Sequence, residues 1–386
     1  MTDLEGIELM NRRERLMATL RGETVDRPAV SFYEINGTEN TANDDPYNIY
    51  NDPSWHPLIE LAREKSDRMV RCGAPYVPLN PNPVDEITEV ESVERDGSKF
   101  TTRRINAPGR TLTTRTRRDR DVNTVWTTEH LLKDVDDLKA YLELPLPDPA
   151  SEAQPQDVLR QEKELGDTGI VMLDTHDPLC EAASLFDMAE YTVIAMTEKE
   201  LFHQLIERIA STMLPGTEAV AKALPGRLWR ITGPEYASPP YLPPALFREY
   251  VCRYVQPMVE AIQRYGGYAR IHSHGNLKDI LDDIVSMTPD GLDPIEPPPQ
   301  GDVELAYVRE HYGENMVLFG NLEANDIENL PTDQFAEKIR RALDEGTAGS
   351  GRGFVLLPSA CPYGRQLPTL AMQNYEAMIE IVEGQS

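Results

Sequence analysis

The strongest constraint on the fold is an alternation that repeats along most of this chain of 386 residues. Short apolar runs alternate with amphipathic helical segments, and several of the runs end in polar, Gly or Pro residues. The eight runs cover residues 29–34, 67–73, 169–174, 227–235, 268–274, 291–296, 315–321 and 354–361. Eight strands alternating with helices predict an α/β protein of the (β/α)8 or TIM barrel class. Such a barrel keeps its active site at the C-terminal ends of the strands.

The pattern changes between residues 87 and 127, where polar residues alternate with Val, Thr and Ile. Within this stretch Asp96-Gly97 is typical of a two-residue hairpin turn. We therefore expect an antiparallel β-hairpin insertion over residues 87–127, inside a single domain that spans residues 1–386. The basic stretch "RTLTTRTRRDRD", residues 110–121, is interpreted as the polar face of this hairpin rather than as an anion site.

A helix is predicted near the start of the chain. Asn11 followed by Glu14 resembles a capping box, in which each side chain accepts a hydrogen bond from the backbone of the other residue. Gly22 stands where such a helix would end.

The composition limits the function. The chain has 65 acidic and 38 basic residues, a formal net charge of −27, so it should repel nucleic acid and anionic membranes, whose binding requires cationic patches. No run approaches the roughly 18 apolar residues of a membrane helix, and the N-terminal stretch lacks the apolar core of a signal peptide. The four cysteines lie far apart and suggest no disulfide framework. We expect a cytoplasmic protein.

Two of the seven histidines stand in "RIHSHGN", residues 270–276. Residues i and i+2 of a strand share a face, so His272 and His274 should point the same way at the barrel mouth. Imidazole is a common zinc ligand. With Cys361 after the last strand and Glu235 after the strand before the histidines, they would form a tetrahedral zinc site. A hydrogen-bonded polar pair for the histidines, and a buried small residue for Cys361, are the alternatives.

Other polar and aromatic residues that end predicted strands are expected to bind a substrate. They are Tyr33, Glu34, Asn36, Asp174, Tyr236, Asn321 and Tyr363. The tyrosines could pack against an aromatic ring, with rim packing as the alternative. Asp293 and Glu296 also end a strand. The chain has neither a glycine-rich dinucleotide fingerprint nor a Walker loop.

Five stretches carry a resemblance to a known family. They are "NRRERLMATLRGETVDRPAV", "GPEYASPPYLPPALFREYV", "IHSHGNLKDILDDIVSMTPDGLDPIE", "MVLFGNLE" and "GFVLLPSACP". Together they look like the uroporphyrinogen decarboxylase-like superfamily, over nearly the whole chain. The resemblance implies a (β/α)8 barrel that acts either as a porphyrinogen decarboxylase or as a cobamide-dependent methyltransferase.

The site residues favour the methyltransferase branch. The decarboxylases resemble one another in an early arginine-containing stretch that holds the substrate carboxylates, whereas "SFYEINGTENTAND" here has no arginine. The methyltransferases are similar to this chain at His272 and Cys361. His274 replaces their usual cysteine, which makes the expected zinc ion a better Lewis acid toward oxygen. Glu235 in "GPEYA" also resembles the O-demethylase components.

The resemblance therefore implies a zinc-dependent enzyme with Glu235 and His272 as catalytic residues. The expected reaction moves a methyl group from a methoxylated, aromatic donor to Co(I) of a corrinoid on a separate protein. "DTHDPL" has Leu179 where the corrinoid-ligating motif requires glycine, so the corrinoid must come from that partner. The alternatives are a methylcobamide:thiol methyltransferase, a uroporphyrinogen decarboxylase-type lyase and a non-catalytic ligand-binding barrel. A homodimer is among the expected states.

Overall fold

The computed structural model describes residues 9–384, which contain fourteen strands. These are β1 (Ala29–Val30), β2 (Arg68–Gly73), β3 (Tyr76–Pro78), β4 (Thr88–Arg95), β5 (Ser98–Ala107), β6 (Arg110–Arg118), β7 (Val125–Glu129), β8 (Ser151–Ala153), β9 (Gly169–His176), β10 (Leu228–Thr232), β11 (Tyr268–Ser273), β12 (Gly291–Pro294), β13 (Val317–Leu322) and β14 (Phe354–Pro358). Each of the eight predicted runs overlaps one strand of the largest sheet, and two of these strands extend past the predicted ends, to His176 and Leu322.

Fourteen α-helices connect and flank these strands within the described residues. They are α1 (Arg12–Arg21), α2 (His56–Lys65), α3 (Val135–Leu142), α4 (Gln156–Leu165), α5 (Pro178–Ser184), α6 (Met188–Thr197), α7 (Lys199–Ala223), α8 (Pro244–Phe247), α9 (Arg253–Arg264), α10 (Leu281–Ser286), α11 (Leu305–Tyr312), α12 (Ala324–Asn329), α13 (Thr332–Gly346) and α14 (Thr369–Glu383). None of them is long and apolar enough to cross a membrane.

The largest sheet is parallel and has the strand order β1-β14-β13-β12-β11-β10-β9-β2. Its two outer strands approach each other through Asp67, which precedes β2. The Asp67 N–H donates to the Val30 carbonyl at 2.7 Å, and its carboxylate accepts from the Val30 N–H at 2.9 Å. The sheet therefore curls on itself with the helices outside, and the predicted TIM barrel class is confirmed.

The antiparallel insertion is larger than one hairpin. Its first turn is the predicted Asp96-Gly97, where both residues have positive φ and Arg95 pairs with Ser98. The sheet then continues through β6 and β7 in the order β4-β5-β6-β7 and ends at Glu129, beyond the predicted boundary. Strands β3 and β8 form a second small antiparallel sheet beside it. The ends of the predicted single domain, residues 1–8 and 385–386, lie outside the described residues.

The barrel interior has an apolar half at the N-terminal ends of the strands. Helix α1 closes it, and the predicted capping box is confirmed, since the Glu14 N–H donates to the Asn11 side chain and the Asn11 N–H to Glu14, both at 2.9 Å. Gly22 ends the helix with a φ of 72°. The interior cluster consists of Leu16, Leu20, Ala29, Met69, Ile170, Met172, Leu228, Val317, Phe319, Val355 and Leu357. This packed layer leaves only the opposite half of the interior for chemistry.

Candidate functional site at the barrel mouth

The half of the interior toward the C-terminal strand ends is charged. Residues two apart on a strand share a face. Tyr268, Arg270 and His272 therefore all lie on the inner face of β11. Both oxygens of Asp293, on the neighbouring β12, bind Arg270, with 2.6 Å between Nη2 and Oδ2. Arg230 of β10 binds both oxygens of Asp174 of β9 at 2.8 and 2.9 Å. Each inward arginine is thus neutralised by an aspartate on an adjacent strand.

His272 is fixed by the same aspartate that binds Arg270. Its Nδ1 lies 2.6 Å from Asp293 Oδ2, and the two side chains are 5% and 0% exposed. Burial alone would raise the pKa of Asp293, but Arg270 and His272 hold that pKa well below its usual range. The carboxylate can only accept, so Nδ1 carries the proton of this hydrogen bond, and Nε2 is the ring atom left open. Nε2 lies 3.5 Å from the Tyr33 hydroxyl.

His274 has a similar partner but a more open setting. Its Nδ1 lies 2.9 Å from Glu296 Oε1, and 37% of its side chain is exposed. The Gly275 N–H binds the other oxygen of Glu296 at 2.9 Å, in a backbone with φ of 82° that favours glycine. Burial would lower the pKa of His274, but the hydrogen bond to Glu296 and the charges of Glu296, Glu235 and Asp293 raise it above the usual value.

A strained turn separates the two histidine partners. Asp293 and Glu296 belong to "DPIE", in which the fully buried Ile295 has a φ of 55°. Left-handed backbone at a β-branched residue is uncommon and costs on the order of 1–3 kcal/mol. The turn brings Glu296 to His274 while Asp293 stays on β12 opposite His272. Strain held at this point is typical of a functional site.

The four predicted zinc ligands do not form one group. Cys361 instead donates to Glu34 at 3.0 Å, and burial followed by the charge of Glu34 raises the pKa of its thiol well above the usual value. Glu235 lies near enough to raise the pKa of His274, but its carboxylate accepts from the Gly233 N–H at 3.0 Å. Within residues 9–384 no three His, Cys, Asp or Glu side chains are arranged to hold a metal ion.

His272 and His274 are therefore the residues that could offer donor atoms to a metal, through Nε2. Their rings lie edge to face with centroids 4.6 Å apart. Carboxylates on Nδ1 are the usual outer partners of metal-binding histidines. Two imidazoles without a grouped thiolate do not fit the tetrahedral set expected from the sequence, because Cys361 is a neutral thiol turned to Glu34. Zinc binding stays a prediction.

Three of the predicted substrate-binding residues lie in the charged network around His272. The Tyr33 ring stacks beside His272 with centroids 6.0 Å apart, and its hydroxyl accepts a hydrogen bond from Arg230. Asp174 binds Arg230, as described. Glu34 accepts from Arg71 at 3.0 Å and from Cys361. These contacts join the ends of β1, β2, β9, β10 and β11 into one polar ring.

The other four predicted substrate-binding residues form no hydrogen bond or ring contact with the histidine pair. Asn36 holds its own loop, where its N–H donates to Glu39 and its carbonyl accepts from Arg68. Tyr236 packs edge to face on Tyr191, and burial raises its pKa to about 12. The remaining two are Asn321, which lines a small cavity with Glu323, and Tyr363, which is 57% exposed.

The inward arginines are the functional residues that the sequence analysis missed. Arg270 stands two residues before His272, so strand alternation was the signal that could have found it. Arg230 pairs in register with Arg270 across β10 and β11 and occupies the same layer. The aspartates that bind them come from other strands, and no spacing within the sequence reveals that pairing.

Comparisons with known proteins agree with this architecture. The sequence profile of the uroporphyrinogen decarboxylase (URO-D) family matches residues 157–385. Among solved structures, a methyltransferase from Methanosarcina mazei superposes with a TM-score of 0.60 at 16% sequence identity, covering 97% of this chain and 99% of that one. No curated protein matches the chain. The structural likeness supports the fold, and the profile covers more than half of the chain.

Proposed function

We propose, from the premise that the chain belongs to the uroporphyrinogen decarboxylase family, that it is a methyltransferase. The methyl donor would be a methoxylated aromatic compound, and the acceptor the Co(I) of a corrinoid carried by a separate protein. The fold likeness to a methyltransferase, over nearly the full length of both chains, indicates that a barrel of this shape can be used for methyl transfer.

One observation supports methyl transfer over decarboxylation: the inward arginines are already paired. Arg230 and Arg270 each bind both oxygens of an aspartate. A porphyrinogen with several carboxylates would need guanidinium groups free to bind them. The carboxylates of a porphyrinogen would instead be repelled by those of the mouth, which makes this mouth unfavourable for a polyanion. The mouth carboxylates are Glu34, Asp174, Asp293 and Glu296.

The reaction needs a nucleophile and a proton. The methyl–oxygen bond breaks with its electron pair moving to oxygen, while the methyl carbon bonds to cobalt, which passes from Co(I) to methyl-Co(III). The departing aryloxide then takes one proton and leaves as a phenol. We assign that proton to His274, because Glu296 and Glu235 favour its charged form. A placed general acid typically contributes 10²–10⁴-fold in rate.

His272 and Glu235 remain the catalytic residues predicted from the sequence. We assign His272 the contact with the methoxy group of the donor through the Nε2 edge of its ring, since Asp293 fixes the other nitrogen. Glu235 would keep His274 charged. Elemental analysis of the purified protein, with His272→Ala and His274→Ala variants, tests whether the histidines hold a metal.

The test of the proposed reaction uses free cobalamin as a probe for the partner's corrinoid. Protein, chemically reduced cob(I)alamin and a panel of methoxyarenes should give methylcobalamin and the corresponding phenols, followed by absorbance and chromatography. His274→Cys should weaken this reaction, because a thiol does not replace a charged imidazolium as proton donor. Methylation of a thiol by methylcobalamin, with methoxyarenes left unchanged by active cob(I)alamin, would replace the proposal by the thiol-acceptor alternative.

A further inference from the structure

A cavity of about 600 Å³ lies beside the barrel mouth, next to the contacts that lead from Asp174 through Arg230 and Tyr33 to His272. Its walls come from the end of β9, the insertion strand β5, helix α7 and the segment around α3. This volume is within the range of small-molecule sites, roughly 300–1,000 Å³. The cavity touches the mouth through Asp174, which binds Arg230, the donor to Tyr33, and also lies 3.7 Å from Arg71.

The charges that line this cavity are incompletely paired. Its two carboxylates have partners, since Asp174 binds Arg230 and Glu181 lies 2.5 Å from His176 Nδ1. Its two arginines have no carboxylate partner anywhere in the described part of the chain. An unmatched pair of guanidinium groups is unusual here, because acidic residues outnumber basic ones by 65 to 38.

The two arginines differ in what they can still bind. Arg208 donates to the carbonyls of Leu144 and Pro145 at 2.9 and 2.6 Å and lies 5.5 Å from the Tyr141 ring. Arg103 is half-buried and makes no side-chain hydrogen bond with any residue between 9 and 384. Its guanidinium therefore keeps its fork of donors, which matches a carboxylate.

The rest of the wall is apolar and aromatic. The side chains that provide it include Tyr76, Ile105, Leu131, Tyr141, Leu185 and Met213. Tyr76 packs so closely on α7 that a Cβ at Gly216 would lie 2.5 Å from its ring, which fixes this aromatic wall in place. A ligand suited to the cavity has a flat apolar body and one negative charge at the Arg103 end.

We infer that this cavity binds an aromatic monocarboxylic acid through a carboxylate–Arg103 pair. This identification rests on the proposed function: if the chain demethylates methoxyarenes, its methyl donor is a methoxylated aromatic carboxylic acid rather than a neutral methoxyarene.

Calorimetric titration of the intact protein tests the inference with two probes of one shape. These are 4-methoxybenzoate and its neutral counterpart 4-methoxybenzamide. The acid should bind about tenfold more tightly or better, as expected for a charge-assisted pair. Arg103→Gln should abolish this preference and leave the amide unaffected, and Arg103→Lys should restore part of it.

Arg104→Gln is the matched control, because Arg104 is the next residue of β5, points to the opposite face and lies 3.6 Å from Glu91. It should leave both affinities unchanged. Equal binding of acid and amide by the wild-type protein, or a preference that survives Arg103→Gln, would overturn the inference.

The assay with cob(I)alamin separates this inference from the proposed function. Acid binding that depends on Arg103 without methylcobalamin formation would refute the function and leave the site. Demethylation of neutral and acidic methoxyarenes at equal rates, unaffected by Arg103→Gln, would refute the site and leave the function.

Discussion

Two histidines two residues apart have the same kind of partner but opposite surroundings. The His272–Asp293 pair is 5% and 0% exposed and shares its aspartate with the fully buried Arg270. The His274–Glu296 pair is 37% and 10% exposed, and Glu296 is also bound by a backbone N–H. One turn of strained backbone separates the two carboxylates.

Because the two histidine–carboxylate pairs differ in exposure, we expect them to have different roles although their chemistry is similar. A buried charge that loses its partner strongly destabilises the folded state. Because Asp293 is the partner of the buried Arg270, we expect it to stabilise the barrel interior. The pair near solvent can exchange protons with water, and its histidine has a raised pKa. We expect the inner pair to fix geometry and the outer pair to titrate.

The largest effect is expected for Asp293→Asn. The change leaves Arg270 buried without a counter-charge, which should cost about 3–5 kcal/mol in the free energy of unfolding. Glu296→Gln is the matched change at the outer pair and should cost at most about 1 kcal/mol, as for partly exposed ion pairs. Urea unfolding of both variants measures the two values. Equal costs would remove the distinction between the pairs.

The next effect concerns catalysis. His274→Gln removes the proposed proton donor and should lower methyl transfer from methoxyarenes by about 10²–10⁴-fold, with little change in the free energy of unfolding. The cob(I)alamin assay and urea unfolding of the same sample measure both quantities. A donor whose phenol has a very low pKa needs no protonation, so its demethylation should fall much less. An equal fall for both donors would argue against proton donation by His274.

The barrel and the inner position of the histidines could be predicted from local patterns. Period-two alternation places Arg270 and His272 on one face, and eight apolar runs specify the strands. The partners could not be predicted in this way. Asp293 meets His272 because β11 and β12 pair in that register, a relation between distant residues. Cys361 was expected at a metal but contacts Glu34, because the loops after β1 and β14 meet at the mouth.

A smaller effect is the titration of His274. Its folded pKa is raised above the unfolded value near 6.5. The stabilisation from this group is therefore complete below the unfolded pKa and is lost as the pH rises through the folded pKa. Proton-detected NMR of the histidine ring should give a pKa above 6.5 in the wild type and a lower one in Glu296→Gln. An unchanged pKa in that variant would exclude Glu296 as the cause.

The smallest expected effect is a change in the pKa of a third carboxyl group, Glu323, when the charge of Glu296 is removed. Glu323 is 6% exposed after β13, and burial followed by the charge of Glu296 raises its pKa to about 7. Between its unfolded pKa near 4.5 and 7 the folded state holds the extra proton, so this group lowers the stability as the pH rises through that window. Glu296→Gln should lower the pKa of Glu323, detected by carbon NMR of its carboxyl. Asp293→Asn, which leaves Glu296 in place, should shift it less. A pKa of Glu323 near 7 that survives Glu296→Gln would mean that burial and the charge of Asp326 set it, and that Glu296 does not influence this third carboxyl group.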